Sequence, residues 1–299
     1  MPMTKHTSPS DAGRHHLRGF TLIEMVMVIV IMGVIGGVMS VFMKSPVNAY
    51  MDSARRAALS DSADTLVRRM ARDIRKSLPN SIRTPTNQCI EYIPTKTGGR
   101  YRAEELTAGD NSSLNFNAAD FKFHILGSNI ELPINQRIAI GDVIAVYNLG
   151  TTGSNAYEQD NTAVVTLAPT ESAAPVETTL TIEGTPIGTP LGAASGKQFP
   201  MASASNKFQV IPANENIVAY VCSGGNLHRT SRSLFPSVTS FPASSCPATG
   251  PIHAQNVVCN FDYSGSDLQR NALISMFIQL TEGGESVSLH HNVHVNNTP

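Results

Sequence analysis

One carboxylate lies inside an otherwise apolar segment near the N-terminus. Glu24 is the single charged residue of the run Phe20–Met43. A carboxylate at the middle of a membrane helix costs about 2.5–3.5 kcal/mol, and somewhat less near a helix end, so it is usually kept there for a function. Glu24 could therefore form an ion pair with a cation, or its side chain could extend to the lipid headgroups.

The segment that carries Glu24 is long enough to cross a membrane. Its 24 residues span roughly 36 Å as an α-helix, which exceeds the hydrocarbon thickness of a typical bilayer and allows some tilt. Three basic residues precede it (Lys5, Arg14 and Arg18) against one acid, Asp11. This charge bias predicts that the leader stays in the cytoplasm.

Two ordinary N-terminal segments are the alternatives. A secretory signal peptide has an apolar region of about 7–15 residues that ends in a small-x-small cleavage site. Here the run is longer, and residues 38–43 contain no such site. A plain signal anchor is the second alternative, which the length of the run does not exclude.

The residues Gly19-Phe20-Thr21-Leu22-Ile23-Glu24 resemble the class III signal of type IV pilins, minor pilins and the pseudopilins of type II secretion. The resemblance implies that a prepilin peptidase cleaves between Gly19 and Phe20, where glycine lets the backbone approach a catalytic site closely. It implies that the new amine of Phe20 is N-methylated and that the hydrophobic helix is retained. It also implies that Glu24 pairs with the N-terminal amine of an adjacent subunit. Unit charges about 4 Å apart attract by roughly 4 kcal/mol at an effective dielectric near 20, so we favour this pairing.

A second helical pattern follows the apolar run. Ser45-Pro46 is predicted to kink the helix or to begin a second segment. Beyond it, an apolar stripe recurs at helical spacing and predicts an amphipathic stalk packed on the head, while the basic residues between its members indicate a solvated face. Pro79-Asn80 ends the helix. The stripe consists of Leu66, Val67, Met70, Ala71, Ile74 and Leu78.

From residue 86 onward the apolar period changes to two, which is typical of strands. Between Gly150 and Asn206 the chain is rich in small polar residues, glycine and proline, which predicts long loops with few strands that decorate the head. The last two strands form a hairpin around Glu282-Gly283-Gly284. The predicted strands are Cys89–Ile93, Phe121–Leu126, Arg137–Tyr147, Ala163–Ala168, Thr178–Ile182, Phe208–Ile211, Ile217–Cys222, Val257–Tyr263, Ala272–Leu280 and Ser286–Val295.

These patterns predict an α+β protein in which a long N-terminal helix, half transmembrane and half amphipathic stalk, packs on a mainly antiparallel β-sheet head with long loops. We divide the chain into a cytoplasmic leader (1–19), a transmembrane and assembly helix (20–43), a stalk helix (44–78) and a periplasmic head (79–299).

Four cysteines all follow the apolar segment, on the side that the topology assigns to an oxidising compartment. An even number there predicts two disulfides, with three possible connectivities, and buried free thiols are the alternative. We expect Cys246–Cys259, which closes a short loop, and Cys89–Cys222, which ties the early head to its late strands. No Cys/His spacing indicates zinc.

The rest of the chain contains no recognisable catalytic set. Of three neighbouring histidines, His290 and His294 would share one face of a strand and His291 the other, and two strand residues four apart lie roughly 13 Å from each other, too far to ligate one ion. No phosphate loop or dinucleotide motif is present, and a net charge of −1 gives no electrostatic case for nucleic acid. We therefore expect no enzyme activity, metal or cofactor.

Three parts of the head carry a narrower resemblance: residues 78–83, residues 89–94 and residues 285–297. They resemble the large minor pilins, the group that includes the O protein of mannose-sensitive haemagglutinin (MSHA) pilus biogenesis, the J-type pseudopilins and the W-type minor pilins. This implies a minor pilin of an MSHA-like type IV pilus, used in pilus biogenesis and initiation and located at the tip. It implies a single pass through the inner membrane with a periplasmic head, which later reaches the pilus and cell surface.

The implied partners are the prepilin peptidase, other minor pilins, the major pilin and the inner-membrane assembly platform, with a membrane and without nucleic acid. Two alternatives stay open. The head could be an adhesin for which residues 150–206 are the candidate surface, or the chain could be a pseudopilin of a type II secretion system.

Overall fold

The computed structural model describes residues 19–184, 196–233, 246–264 and 271–299. The leader predicted for residues 1–19 lies outside these ranges, apart from Gly19. The chain divides into two compact units, residues 1–54 and residues 55–299. A single helix contributes to both units, and the sheets belong to the second.

Helix α1 extends over 54 residues, Leu22–Arg75, with Pro46 inside it. Of the two outcomes predicted for Ser45-Pro46, a kink or the start of a second segment, the second does not occur, because a proline removes one backbone hydrogen bond while the neighbouring residues continue the ladder. The predicted end at residue 78 was also late by three residues. The N–H of Leu78 donates to the carbonyl of Ile93, 2.8 Å away, so this part of the backbone has already joined the head.

Within the second unit, the apolar stripe of α1 packs in a core with the inner faces of two sheets. The predicted stripe is confirmed from Leu66 to Ile74, and it begins about two turns earlier than expected, at Leu59. Its buried members are Leu59, Ala63, Leu66, Val67, Met70, Ala71 and Ile74. Its predicted last member, Leu78, lies beyond the helix end and packs in another core.

The described part of the head contains fifteen strands and one short 3-10 helix, Ala156–Glu158. The strands are β1 (Arg83–Thr86), β2 (Cys89–Tyr92), β3 (Thr97–Arg100), β4 (Lys122–Leu126), β5 (Val143–Ala145), β6 (Thr162–Val165), β7 (Thr170–Ala173), β8 (Val176–Glu183), β9 (Lys207–Ile211), β10 (Ile217–Ser223), β11 (Asn226–Arg232), β12 (Ile252–Gln255), β13 (Val257–Ser264), β14 (Asn271–Glu282) and β15 (Glu285–Asn296).

These strands form three antiparallel sheets. A five-stranded sheet has the order β1-β2-β10-β11-β12, and a three-stranded sheet has the order β13-β14-β15. Both cover the stripe of α1 and share its core. A seven-stranded sheet has the order β3-β9-β5-β6-β8-β4, with β7 paired to β8, and it encloses a core of its own around Phe123, Phe199 and Phe208. The predicted α+β layout is confirmed.

The segment between Gly150 and Asn206 differs in part from the prediction of long loops with few strands. It supplies three strands to the seven-stranded sheet, and β6 lies between β5 and β8. The predicted strands Ala163–Ala168 and Thr178–Ile182 correspond to β6 and β8, whereas β7 was not predicted. These strands are part of the sheet and do not decorate the head. Small and β-branched residues such as Ala163 and Val165 are fully buried there. A strand that is covered on both faces does not show the alternation of apolar and polar residues that marks a half-exposed strand. Residues 185–195 of this segment lie outside the described residues.

Both disulfides exist, but their pairing differs from the prediction. The bonds are Cys89–Cys246 and Cys222–Cys259. Cys89 pairs across β2 and β10 with Val221, the neighbour of Cys222. Because successive side chains of a strand point to opposite faces, Cys89 and Cys222 lie on opposite sides of the five-stranded sheet and cannot bond to each other.

Candidate functional site

The residues between Gly19 and Glu24 lie at the start of α1. The hydroxyl of Thr21 accepts a hydrogen bond from the N–H of Glu24 at 3.3 Å, and the carbonyl of Thr21 accepts one from Met25 at 3.2 Å. Thr21 is therefore the N-cap, and the helix begins immediately after Phe20. Our sequence reasoning missed this role, although the pattern Thr-x-x-Glu is a known signal for a helix start.

None of the described residues covers the peptide bond between Gly19 and Phe20. Nothing described lies close to the position that a side chain on Gly19 would occupy, and the Phe20 side chain is 79% exposed. The bond precedes the first helical turn, so its backbone is not held in helical hydrogen bonds. An enzyme active site that binds extended backbone could reach this bond without unwinding α1.

Glu24 lies in the first turn of α1 and its side chain is exposed. A carboxylate in this position interacts favourably with the partial positive charge at the helix N-terminus. Within the described residues it forms no ion pair, so its acceptor capacity is open to another molecule.

The helical segment that follows Glu24 has an apolar surface on all sides. Every large apolar residue from Phe20 to Met43 is at least 47% exposed. Among the described residues there is one helix long and apolar enough to cross a membrane, and its most apolar window has a mean hydropathy of 2.6 and no buried residues. Apolar surface of this size is unfavourable in water, so it must be covered by lipid or by other helices.

Two buried carboxylates of the head are paired with basic side chains. The buried carboxylate of Glu91 binds both Arg83 and Arg232. The carboxylate of Glu177 binds Arg102 and lies 3.0 Å from Nδ1 of His124, and the Arg102 hydrogen bond holds the pKa of Glu177 below its usual value. These groups join strands and present no free nucleophile or base.

A polar cleft of the head, about 550 Å³, lies beside the end of α1. Asp73, Glu215 and Arg229 form an ion-paired cluster along it, and Tyr220 donates to Asp73 at 2.7 Å. Burial raises the pKa of the Tyr92 hydroxyl, so this group stays protonated. The cleft contains no pairing of a nucleophile with a base.

The C-terminal histidines lie as predicted. His290 and His294 are on the exposed face of β15, and His291 is on the face turned to α1. The described residues contain no group of three or more His, Cys, Asp or Glu side chains that could hold a metal ion.

Comparison with known proteins gives one match. Residues 14–40 match the prokaryotic N-terminal methylation motif, and the matched range includes Gly19, Phe20 and Glu24. No curated protein matches the chain, and no solved structure matches it. The match covers the candidate site and ends before the head.

Proposed function

We propose, on the premise that the N-terminal match supports the class III signal of type IV pilin-like proteins, that this chain is a minor pilin of an MSHA-like type IV pilus. A peptidase cleaves between Gly19 and Phe20, and the amine of Phe20 is then methylated. The observation that carries the proposal is the position of this bond, directly before the capped first turn of a helix whose apolar segment, up to Met43, is exposed.

Retention of the helix after cleavage gives the chain its place in the cell. Residues 20–43 span the inner membrane once, residues 44–78 form the stalk and residues 79–299 form a periplasmic head. The basic leader supports this orientation, because Lys and Arg favour the cytoplasmic side. The two disulfides support it as well, since such bonds persist in oxidising compartments.

In this proposal, the charge of Glu24 within the apolar surface of the helix guides assembly. Helices that leave the bilayer pack side by side, and the carboxylate of Glu24 pairs with the methylated amine of Phe20 on a neighbouring subunit. Apolar contacts between smooth helices are similar at many axial offsets, whereas an ion pair favours one of them. The other minor pilins, the major pilin and the inner-membrane assembly platform are the partners in this step. The large head suits the filament tip, where no further subunit is placed above it.

The second candidate function is that of a pseudopilin in a type II secretion system. Pseudopilins of type II secretion systems share this kind of processing and assembly, and the match supports them equally. The genes next to the one for this chain distinguish the two, since a pilus cluster and a secretion cluster encode different partners.

Mass spectrometry of the mature N-terminus tests the proposal. The chain from cells that contain the peptidase should begin at Phe20 and carry one added methyl group. Gly19→Val should leave the leader attached, because a branched side chain hinders close approach of the backbone to the peptidase. Gly13→Val, in the leader, is the matched control and should be processed normally. A wild-type chain that begins at Met1 or after Met43 would contradict the proposal.

A further inference from the structure

A groove runs along the head between helix α1 and strand β15. It has a volume of about 550 Å³ and is lined by Thr65, Arg68, Ala71, Arg72, Arg75 and His291. All of these residues belong to the second unit of the chain. The groove does not include any residue of the N-terminal site.

Strand β15 follows the helix along this groove. At its start, Glu285 binds Arg56, and just after its end the amide group of Asn80 donates to the carbonyl of Asn297 at 3.1 Å. His291, at the middle of the strand, lies beside the arginines of the groove. The strand and the last turns of α1 therefore run side by side in the same direction.

The side of β15 that faces away from β14 is an open sheet edge. All twelve residues of β15 pair with β14, without a register shift, and β15 is last in the order of its sheet. Within the described residues no strand pairs with its other side. In an antiparallel edge strand about half of the residues direct their N–H and C=O groups outward, so β15 offers roughly six residues with backbone groups for another strand.

This edge lacks the features by which proteins prevent unwanted strand pairing. Such edges are usually short, bulged, or interrupted by proline, lysine or other charges. From Ser286 to Asn296 the strand contains no proline, no lysine and no acidic residue, and its exposed face carries serine, asparagine and histidine. A regular edge of this length fits the addition of an extended segment.

The helix side of the groove is cationic. Arg68, Arg72 and Arg75 are exposed and lie on one face of α1, at positions i, i+4 and i+7. Arg68 binds Asp64, while Arg72 and Arg75 have no acidic partner among the described residues. Alternate residues of a strand are about 6.8 Å apart, while the helix rises by about 6 Å from Arg68 to Arg72 and by about 4.5 Å from Arg72 to Arg75. Carboxylates at every second position of an added strand therefore follow this row approximately, and the long arginine side chains can take up the difference.

We propose that the groove binds an extended acidic segment of a partner protein, which pairs with β15 as a fourth strand and directs alternate carboxylates to Arg68, Arg72 and Arg75. A second copy of this chain fits less well. Two β15 strands that paired edge to edge about a twofold axis would bring their helices to the same face of the joint sheet, so the two arginine rows would repel each other.

Peptide binding to the full-length chain in detergent tests this assignment independently of processing and assembly. The probe is a fluorescent octapeptide of alternating threonine and glutamate, and the comparison peptides replace glutamate by glutamine or lysine. We expect the glutamate peptide to bind most tightly and to lose affinity as salt is raised. Methylation of its alternate backbone nitrogens should abolish binding to the edge, because the ladder donors are lost.

Two charge-reversal variants separate the groove from general electrostatics. Arg72→Glu/Arg75→Glu should weaken binding of the glutamate peptide by about tenfold or more. Arg69→Glu is the matched control, because Arg69 lies toward His253 rather than His291, and it should leave binding nearly unchanged. Equal binding of the glutamate and glutamine peptides, or equal losses in both variants, would overturn the proposal. A dimer that becomes tighter in Arg72→Glu/Arg75→Glu would overturn it too, because the groove would then belong to a second copy.

Discussion

Cys89 lies directly opposite Val221 in the pairing of β2 with β10, and this relationship determines the disulfide pattern of the head. Cys89 shares one face of the five-stranded sheet with Val221 and with Cys246. Cys222 points to the other face, into the core beneath α1, where Cys259 of β13 meets it. One disulfide therefore joins two sheets across the main core, and the other holds the segment around Cys246 on the outer face.

The two bonds should differ in their contribution to stability. Cys89–Cys246 spans 157 residues and Cys222–Cys259 spans 37 residues. In the chain-entropy model the longer loop stabilises more, by about 1 kcal/mol, within a total of about 2–5 kcal/mol for each bond. We expect urea unfolding of Cys89→Ala/Cys246→Ala to show the larger loss in free energy of unfolding. Peptide mapping without reduction is the control, and fragments linking Cys246 to Cys259 would contradict the pairing.

Glu24 should be required for assembly and not for processing. Glu24→Ala removes one partner of the proposed ion pair, so incorporation into filaments should fall by at least tenfold, since one pair is worth up to roughly 4 kcal/mol. Mass spectrometry of Glu24→Ala should still find a methylated Phe20. Glu24→Asp keeps the charge on a shorter side chain and should recover part of the incorporation. Normal incorporation of Glu24→Ala would disprove the role of the carboxylate.

Strong periodicity made several elements of the fold predictable. Ile274, Met276 and Ile278 alternate along β14, and the structure buries all three against the helix stripe. The stripe itself is confirmed, because one buried face of a helix needs apolar residues at helical spacing. In both elements one face is buried and the other is exposed, so apolar residues recur in the sequence with the period of the element.

Other strands lack this signal because their burial depends on distant neighbours. Strand β3 contains Gly98 and Gly99, which resemble a turn in sequence. At Gly98 a β-carbon would come within 2.8 Å of the carbonyl of Phe208, so the close approach of β9 requires glycine. Strand β11 is mainly polar, and of its residues Leu227 and Thr230 are buried. The sequence could not indicate that β10 would pair with it along all seven residues.

The N-terminal site was predictable as a motif and less so as a structure. The signal can be identified without knowledge of the fold from the order of its parts: a basic leader followed by Gly19, Phe20 and Glu24. The hydrogen bond from Glu24 to Thr21 depends on where the helix begins, which the apolar run leaves open by several residues. The pairing of the cysteines failed for a related reason, since the spacing of residues does not tell which face of a sheet each occupies.

Thr21 should affect the first turn of α1 through its hydroxyl. Thr21→Val removes the cap of the Glu24 N–H while keeping the shape of the side chain, and loss of an N-cap costs about 0.5–2 kcal/mol of helix stability. We expect faster amide exchange at Ile23, Glu24 and Met25 in detergent, measured by hydrogen–deuterium exchange. Thr21→Ser keeps the hydroxyl and should exchange like the wild type. Equal exchange in Thr21→Val and the wild type would show that the cap does not hold the first turn.

The stability of the head should depend on pH through Glu177. The hydrogen bond from Arg102 holds the pKa of Glu177 below its ordinary value of 4.5, so the carboxylate stabilises the fold above that value and loses this effect as the pH falls through the lower folded pKa. We expect Glu177→Gln to reduce the free energy of unfolding by about 1–2 kcal/mol above about pH 5, and the difference from the parent chain to shrink below it.

The measurement is urea unfolding at a series of pH values, with both chains carrying His124→Asn. This substitution removes the imidazole 3.0 Å from Glu177, so the difference between the two chains depends on the contact of Glu177 with Arg102. Other carboxylates titrate equally in both chains and cancel. A difference that stays constant down to about pH 3 would mean that the pKa of Glu177 is the same in the folded and unfolded chains, and that its contact with Arg102 does not lower this pKa.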